Sequence, residues 1–376
     1  MRVIVVGAGI VGLSAAWALL RAGHRPVVVD QGPIPNPRAS SFDRHRLIRL
    51  AHAAGDGRGR IIHEAFAAWD RLWRDLGRSH YRETGMLVTA RDPDDWGVSC
   101  RAAIERDGTP FEIWDRARMA ERCPYLALTE RDWGLYTATG GVLLMERILA
   151  DLAALLRERG VDLLEEAAVA SLDPDSATVH LADGHRLAAD GLVLAAGAWT
   201  GRLLPQLDPV LEPRRAVVAY LDPPPDLAAA WAGSPCLLDF GGTADAYLVP
   251  PLEGWPLKIG AGAHSRPGDP ASPRTLEPGE PESLLAHLRP YLRDLDRYRF
   301  AEARVCYTCY SPDERFLAGR LEASAPVVYA TGCSGQMAKF GSVVGERLAY
   351  AVAGGMTGAE LARWARGEAE GTGVTA

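Results

Sequence analysis

The stretch RVIVVGAGIVGLSAAWALLRAGHRPVVVD, residues 2–30, decides the fold. RVIVV, 2–6, is an apolar run of the length and composition of a fully buried strand. Residues 10–22 predict a helix, and PVVVD, 26–30, predicts a second strand. Two strands joined by a helix within about thirty residues make a βαβ unit and hence a parallel sheet. Gly7, Gly9 and Gly12 lie between the first strand and the helix. Gly7 permits a tight turn, and Gly12 lets the helix close onto the strand. Gly9 lets a pyrophosphate approach the helix N-terminus, where free N–H groups and the dipole favour anions.

Asp30 ends the second strand, where an acid accepts hydrogen bonds from ribose hydroxyls. Strand, glycines, helix and acid together predict a dinucleotide site; the alternative is a glycine-rich turn in an unrelated α/β protein. The motif does not separate NAD from FAD. Asp30 disfavours NADP, whose 2′-phosphate it would repel.

Outward from this unit, QGPIPNPRASS, 31–41, reads as irregular, followed by the basic run FDRHRLIRLAH, 42–52. Ile62, Phe66, Trp69, Trp73 and Leu76 repeat at helical spacing, with Gly77 as a C-cap. Residues 146–160 predict another helix. A hairpin is expected around Asp183-Gly184, then a buried strand at 192–196. Residues 214–262 are strand-rich, VVYAT at 327–331 is a late buried strand, and a helix follows from about 337 to 353. RGEAEGTGVTA, 366–376, is expected to be a disordered tail.

The chain has 376 residues, enough for two domains or one large α/β unit. A net charge of -7 argues against a nucleic-acid partner. Six cysteines are too few for a disulfide framework and fit a reducing compartment, so a cytoplasmic location is expected. No apolar run has the ~18 residues of a membrane span. The N-terminus could pass for a signal peptide, but its regular glycines and its continuation into RAGHRPVVVD without a cleavage-like break argue against that.

Near the other end, RVCYTCYSPDERF, 304–316, carries Cys306 and Cys309 three apart. By residues alone this is a zinc half-site, a redox dithiol, or one functional thiol beside a buried one. A matching second Cys or His pair for zinc is missing, and a redox pair belongs at a helix N-terminus, whereas this stretch reads as strand.

GAGIVGLSAAWALLRAG, HRLIR, LAAGAW, PLKIG, SPDERF and GCSG…KFG together resemble the monomeric sarcosine oxidase family, which includes N-methyltryptophan oxidase and belongs to the D-amino-acid-oxidase-like flavoenzymes. The resemblance runs from the glycine motif to about residue 360. It implies FAD and an α/β architecture: a Rossmann-type FAD domain and a second domain on a large mixed β-sheet. The FAD domain is expected from 1–77, 141–205 and 306–365, and the substrate domain from 78–140 and 206–305.

The resemblance also implies residue roles. Counting back from Asp313, Cys306 takes the place of the cysteine that forms a thioether to the flavin. That chemistry needs a thiolate able to attack the flavin 8-methyl position, then oxidation of the adduct. Arg46 lies near the flavin; Val169, Gly197, Trp199, Gly332 and Gly335 are further cofactor positions, joined by Lys339. Arg49 grips the substrate carboxylate and Lys339 assists it, a fork and a point charge that predict an anionic substrate. The bland reading of both is surface charge. Lys258, in WPLKIGAG, lies over the flavin, where a fixed cation stabilises superoxide; its bland reading is the wet face of an edge strand. Tyr247 corresponds to an active-site tyrosine.

Four pocket positions depart from the family. Thr308 replaces a tyrosine, Gly262 a histidine, Gln336 a histidine and Met337 a glycine. The loss of bulk at Thr308 and Gly262 implies a larger or differently shaped amine than sarcosine, and HRLIRL and SPDER resemble the branch acting on cyclic imino acids. The expected activity is oxidation of a small carboxylate-bearing secondary amine or imino acid by FAD and dioxygen, giving imine and hydrogen peroxide. No side chain is expected to act as formal base if the amine binds deprotonated. The alternatives are a same-fold dehydrogenase with another acceptor, an NAD-binding dehydrogenase, and a non-catalytic FAD-binding subunit. No membrane or metal partner is expected, and the assembly is a monomer or small homo-oligomer.

Overall fold

The computed structural model describes residues 1–240, 245–321 and 326–368. Its first layer is a six-stranded sheet. Arg2–Val6 stands at its centre, parallel to Arg25–Val29 on one side and to Gly191–Leu194 on the other. Asp162–Leu164 extends one edge, and Val327–Thr331 then Leu317–Arg320 the other. The parallel pairing is what the βαβ reading requires. Val3, Ile4, Val5, Val28 and Val29 are fully buried because helices and loops cover both faces. The helices Ile10–Arg21, Arg58–Leu76, Met145–Glu158 and Gly341–Val352 pack into one core, with Trp17, Trp69, Leu152 and Phe340 at its centre.

The second layer is a nine-stranded mixed sheet. Its long strands Glu212–Asp222 and Arg299–Tyr310 run antiparallel, and Leu257–Ala261 pairs with the former. Among the described residues, its one parallel pair joins Cys236–Leu238 to Met86–Ala90. A separate core of Tyr125, Trp231, Leu237, Leu248 and Ile259 backs it.

Two of the expected boundaries fall within continuous strand pairing. The expected break at 306 falls inside one unbroken strand, because the ladder from Arg299 to Tyr310 pairs along all of Glu212–Asp222. The break at 140/141 is bridged by a three-stranded sheet in which Gly140–Leu143 pairs with both Arg46–Arg49 and Tyr81–Glu83. Residues 366–368 of the expected tail are among the described residues. Arg366 is ion-paired to Asp313 at 2.9 Å, and Gly367 N–H bonds to Trp364 O at 2.8 Å. Residues 369–376 lie outside the described residues. No described helix is long and apolar enough to cross a membrane.

Candidate active site

The glycine turn is built as its residues demand. Gly7 has φ +101°, and a Cβ there would sit 2.5 Å from Ala195 O. A Cβ on Gly12 would lie 1.8 Å from Gly7 O, so only glycine lets the helix close on the turn. At the helix start, Ile10 N–H donates to Ser41 Oγ at 3.1 Å. Asp30 Oδ2 accepts from Ala8 N–H at 2.7 Å, and Oδ1 accepts from Asn36 Nδ2 at 2.6 Å and Gly32 N–H at 3.1 Å. Asp30 therefore holds the turn as well as lining the cavity beside it. That leaves little of its roughly four acceptor positions for a ribose.

This cavity, about 520 Å³, is lined by Gly7, Gly9, Asp30, Val169, Gly197 and Trp199, among others. A second cavity of about 510 Å³ lies against the mixed sheet and is lined by Arg49, Tyr247, Lys258, Cys306, Gln336 and Lys339. Arg46, Thr308, Gly335 and Ala338 line both, so the two cavities meet at one wall. Gly12 acts through packing instead of lining. Gly332 lines neither cavity; it has φ +64° and is wedged against Ser311 and Leu317, so it shapes the turn behind the wall. Met337 lines only the glycine-side cavity and is otherwise core.

The strand Arg299–Tyr310 resolves the cysteine pair. Residues three apart on a strand point to opposite faces. Cys306, with Thr308 and Tyr310, faces the second cavity. Cys309 is 1% exposed and packs with Ala198, Leu211 and Val217. A shared metal or a disulfide between the two is thereby excluded.

Lys258 lies on an interior strand, between Glu212–Asp222 and Ala246–Val249, and not on a wet edge. It is 1% exposed. Its Nζ donates to Asp43 Oδ2 at 2.6 Å and to His45 O at 3.1 Å. Burial and the Arg46 guanidinium press its amine downward, and the Asp43 carboxylate opposes them. Arg46 also bonds Asp43, and it donates to Ser40 O at 2.8 Å. The half-buried Tyr247 ring lies 5.9 Å from Lys258 Nζ, and burial raises its phenol.

The basic run turns inward. Arg49 is 6% exposed, bonds Ala51 O, and lies 4.7 Å from the centre of the Trp96 ring. Burial brings its guanidinium down only to about 10, so it stays charged at neutral pH. His52, behind it, is held neutral by burial and by Arg49. The Gln336 amide oxygen accepts from Lys339 Nζ and from Arg49 Nη2, the latter at 3.4 Å. Burial, then Arg49 and Arg58, pushes the Lys339 amine well below its usual range.

Gly262 lines the second cavity. A Cβ there would stand 1.7 Å from Asp245 Oδ2, so the Asp245 carboxylate fills the space. Asp245 and Asp239 both line the cavity. Burial, then Asp95 and Asp245, raises Asp239 to about 7. Asp43, Trp96, Asp239 and Asp245 are all absent from the sequence reading.

A glycine cradle, a lining acid and a second cavity of buried cations meeting along one wall suit an extended dinucleotide with a reactive head. Residues 2–351 match the family model described as FAD dependent oxidoreductase.

The chain belongs to that family of FAD dependent oxidoreductases.

Among its curated relatives is the peroxisomal sarcosine oxidase of Homo sapiens, 26% identical over 92% of this chain and 90% of that one. The monomeric sarcosine oxidase of Bacillus sp. (strain B-0618) is 27% identical over 94% and 93%. The N-methyl-L-tryptophan oxidase of Escherichia coli is 27% identical over 91% and 92%. The fold is shared with the fructosamine oxidase Amadoriase II of Aspergillus fumigatus, at a TM-score of 0.80, 20% identity, and 97% and 89% coverage. It is also shared with NikD, an amino acid oxidase of nikkomycin biosynthesis, at a TM-score of 0.79, 21% identity and 96% of both chains. In this FAD-dependent enzyme the cradle around Gly7 and Gly9 fits the pyrophosphate, and the second cavity suits the flavin ring and a substrate.

Proposed function

We propose that the protein oxidises a small secondary amine or imino acid bearing a carboxylate, passing the electrons to dioxygen and giving an imine and hydrogen peroxide. One observation carries this reading. The Gln336 amide oxygen sits between Arg49 and Lys339, in the cavity that also holds Cys306 and Lys258. A single oxygen between two buried cations stands where a substrate carboxylate oxygen would bind. Arg49 supplies a planar fork and Lys339 a point charge.

Bound FAD supplies the two-electron acceptor. The clamp orients the substrate by its acid group and turns a collision into a held geometry. The Trp96 ring and the burial of Arg49 exclude water from the clamp and strengthen its pull on an anion. The neutral amine loses its hydride equivalent without a protein base, and the imine hydrolyses after release. Lys258 is the fixed cation beside the place where dioxygen is reduced. Cys306, on the same wall, would hold the flavin through a thioether, the bond forming at the 8-methyl carbon with the flavin reduced and then reoxidised by dioxygen.

The test has two parts. Acid precipitation of the yellow protein, with mass analysis of the Cys306 peptide, is expected to leave the colour on the peptide; full release to the supernatant rejects the tether. A panel of N-methyl and cyclic amino acids, assayed under air with peroxide detection, is expected to yield peroxide. Flavin reduction without peroxide points to a dehydrogenase, and no reduction by any amine to a non-catalytic subunit.

A further inference from the structure

Behind the wall that carries Lys258 stands a carboxylate that the reaction above does not use. Asp43 is 3% exposed. Its Oδ2 accepts from Lys258 Nζ at 2.6 Å and from Arg46 Nη1. Its Oδ1 accepts from the Tyr220 hydroxyl and from the Arg44 backbone N–H at 2.8 Å, and Arg304 Nη1 lies 3.6 Å away.

The outer cations have other partners. Arg304 is paired to Glu146 at 2.8 Å and to Glu302 at 3.2 Å, and Arg44 to Glu302 at 2.7 Å. Among the described residues, Lys258 and Arg46 have ion pairs with Asp43 alone. The remaining groups facing Lys258 are the Tyr220 and Tyr247 rings, each 5.9 Å from Nζ, the Cys306 thiol, and His45, whose buried ring is held neutral by burial and by Lys258. Among the described residues, no other carboxylate is paired to the amine. Two buried cations within reach of one another repel, and a lone buried ammonium gives up its proton.

We infer that Asp43 is the positioning residue for Lys258: it anchors the lysine as a cation at the wall of the flavin cavity and balances Arg46 beside it. This rests on the reading of Lys258 as the cation that promotes oxygen reduction. It predicts that without Asp43 the lysine turns neutral and Arg46 keeps the remaining charge.

The experiment compares wild type, Asp43→Asn, Lys258→Met and the double variant as holoenzymes. Each is photoreduced without substrate and mixed with oxygen between about pH 6 and 9. Wild type is expected to reoxidise at a constant rate. Asp43→Asn is expected to slow about tenfold per pH unit above its new lysine pKa, as the protonated fraction falls. The double variant is expected to match Lys258→Met, with no pH dependence.

Denaturant unfolding over the same pH range gives a second readout. A lysine neutral in the fold but charged when unfolded makes the folded state lose ground as pH falls. The stability deficit of Asp43→Asn is therefore expected to grow toward low pH, and this slope is expected to vanish in the double variant. A purely structural role would give the same deficit at every pH and wild-type reoxidation, and that result overturns the inference. If Lys258→Met itself reoxidises normally, the oxygen reading fails, while the unfolding slope still tests the pairing. If Asp43→Asn does not fold, a folded double variant supports the pairing and an unfolded one overturns it.

Discussion

Lys258 Nζ and Asp43 Oδ2 meet at 2.6 Å, although the two residues stand 215 positions apart in the chain and are both buried. The contact joins the loop after the dinucleotide unit to an interior strand of the mixed sheet. Removing one partner of a buried pair leaves an uncompensated charge, which costs about 3–5 kcal/mol. Asp43 keeps Arg46 in Lys258→Met, so a loss near the lower end, about 3 kcal/mol, is expected by denaturant unfolding. The same variant is expected to slow reoxidation by oxygen about a hundredfold, while anaerobic reduction by substrate changes little. Equal slowing of both half-reactions would place Lys258 on the substrate side.

Gln336 bridges Arg49 and Lys339 with a neutral oxygen. Gln336→Glu places a fixed carboxylate in the clamp, where it competes with that of the substrate. Steady-state kinetics are expected to show KM raised by about tenfold or more, the scale of one charged hydrogen bond, with kcat nearly kept. An unchanged KM would mean that the substrate acid binds elsewhere.

Lys339 supplies half of the clamp only while protonated, and burial, then Arg49, pushes its amine down. The charged form therefore prevails at lower pH and is lost as pH rises. KM for a carboxylate-bearing substrate is expected to climb as pH rises, and Lys339→Gln is expected to start from a higher KM with a flatter profile. A KM that falls with rising pH in the wild type would assign the trend to the substrate amine instead.

The dinucleotide unit and the helix from residue 58 to 76 were legible because their signals are local: glycine spacing in one case, a 3.6-residue apolar period in the other. Lys258 stood out as a charge within an apolar strand. Asp43 gave no such signal, since an acid within a basic run reads as a solvated loop until the sheet brings Lys258 against it. Gly262 shows the converse limit. The missing side chain is plain in the sequence, but its consequence depends on the register that pairs Ala246 with Ala261 and so sets Asp245 beside it. Residue 306 lies within one strand for a related reason: a strand that lines the second cavity and also belongs to the larger sheet has no composition change along it.

Asp239 is held protonated up to about 7, against an ordinary 3.8, by burial, then by Asp95 and Asp245. A carboxyl whose folded pKa is raised favours the fold at low pH, and that advantage disappears as pH rises from about 4 to 7. Asp239→Asn, which stays neutral, is expected to gain thermal stability over wild type at pH 8 and little or none at pH 4, the two sides of that window. A gain of the same size at both pH values would trace the effect to packing.

The most direct measurement for the clamp is anaerobic bleaching of the flavin absorbance by matched pairs of amines: an N-methyl or cyclic amino acid and the same amine without its carboxylate, each with wild type and with Arg49→Met. The clamp predicts rapid bleaching of wild type by the acid, at least about a hundredfold slower bleaching by the decarboxylated partner, and the loss of that preference in Arg49→Met. Equal bleaching of wild type by both members of each pair would contradict it.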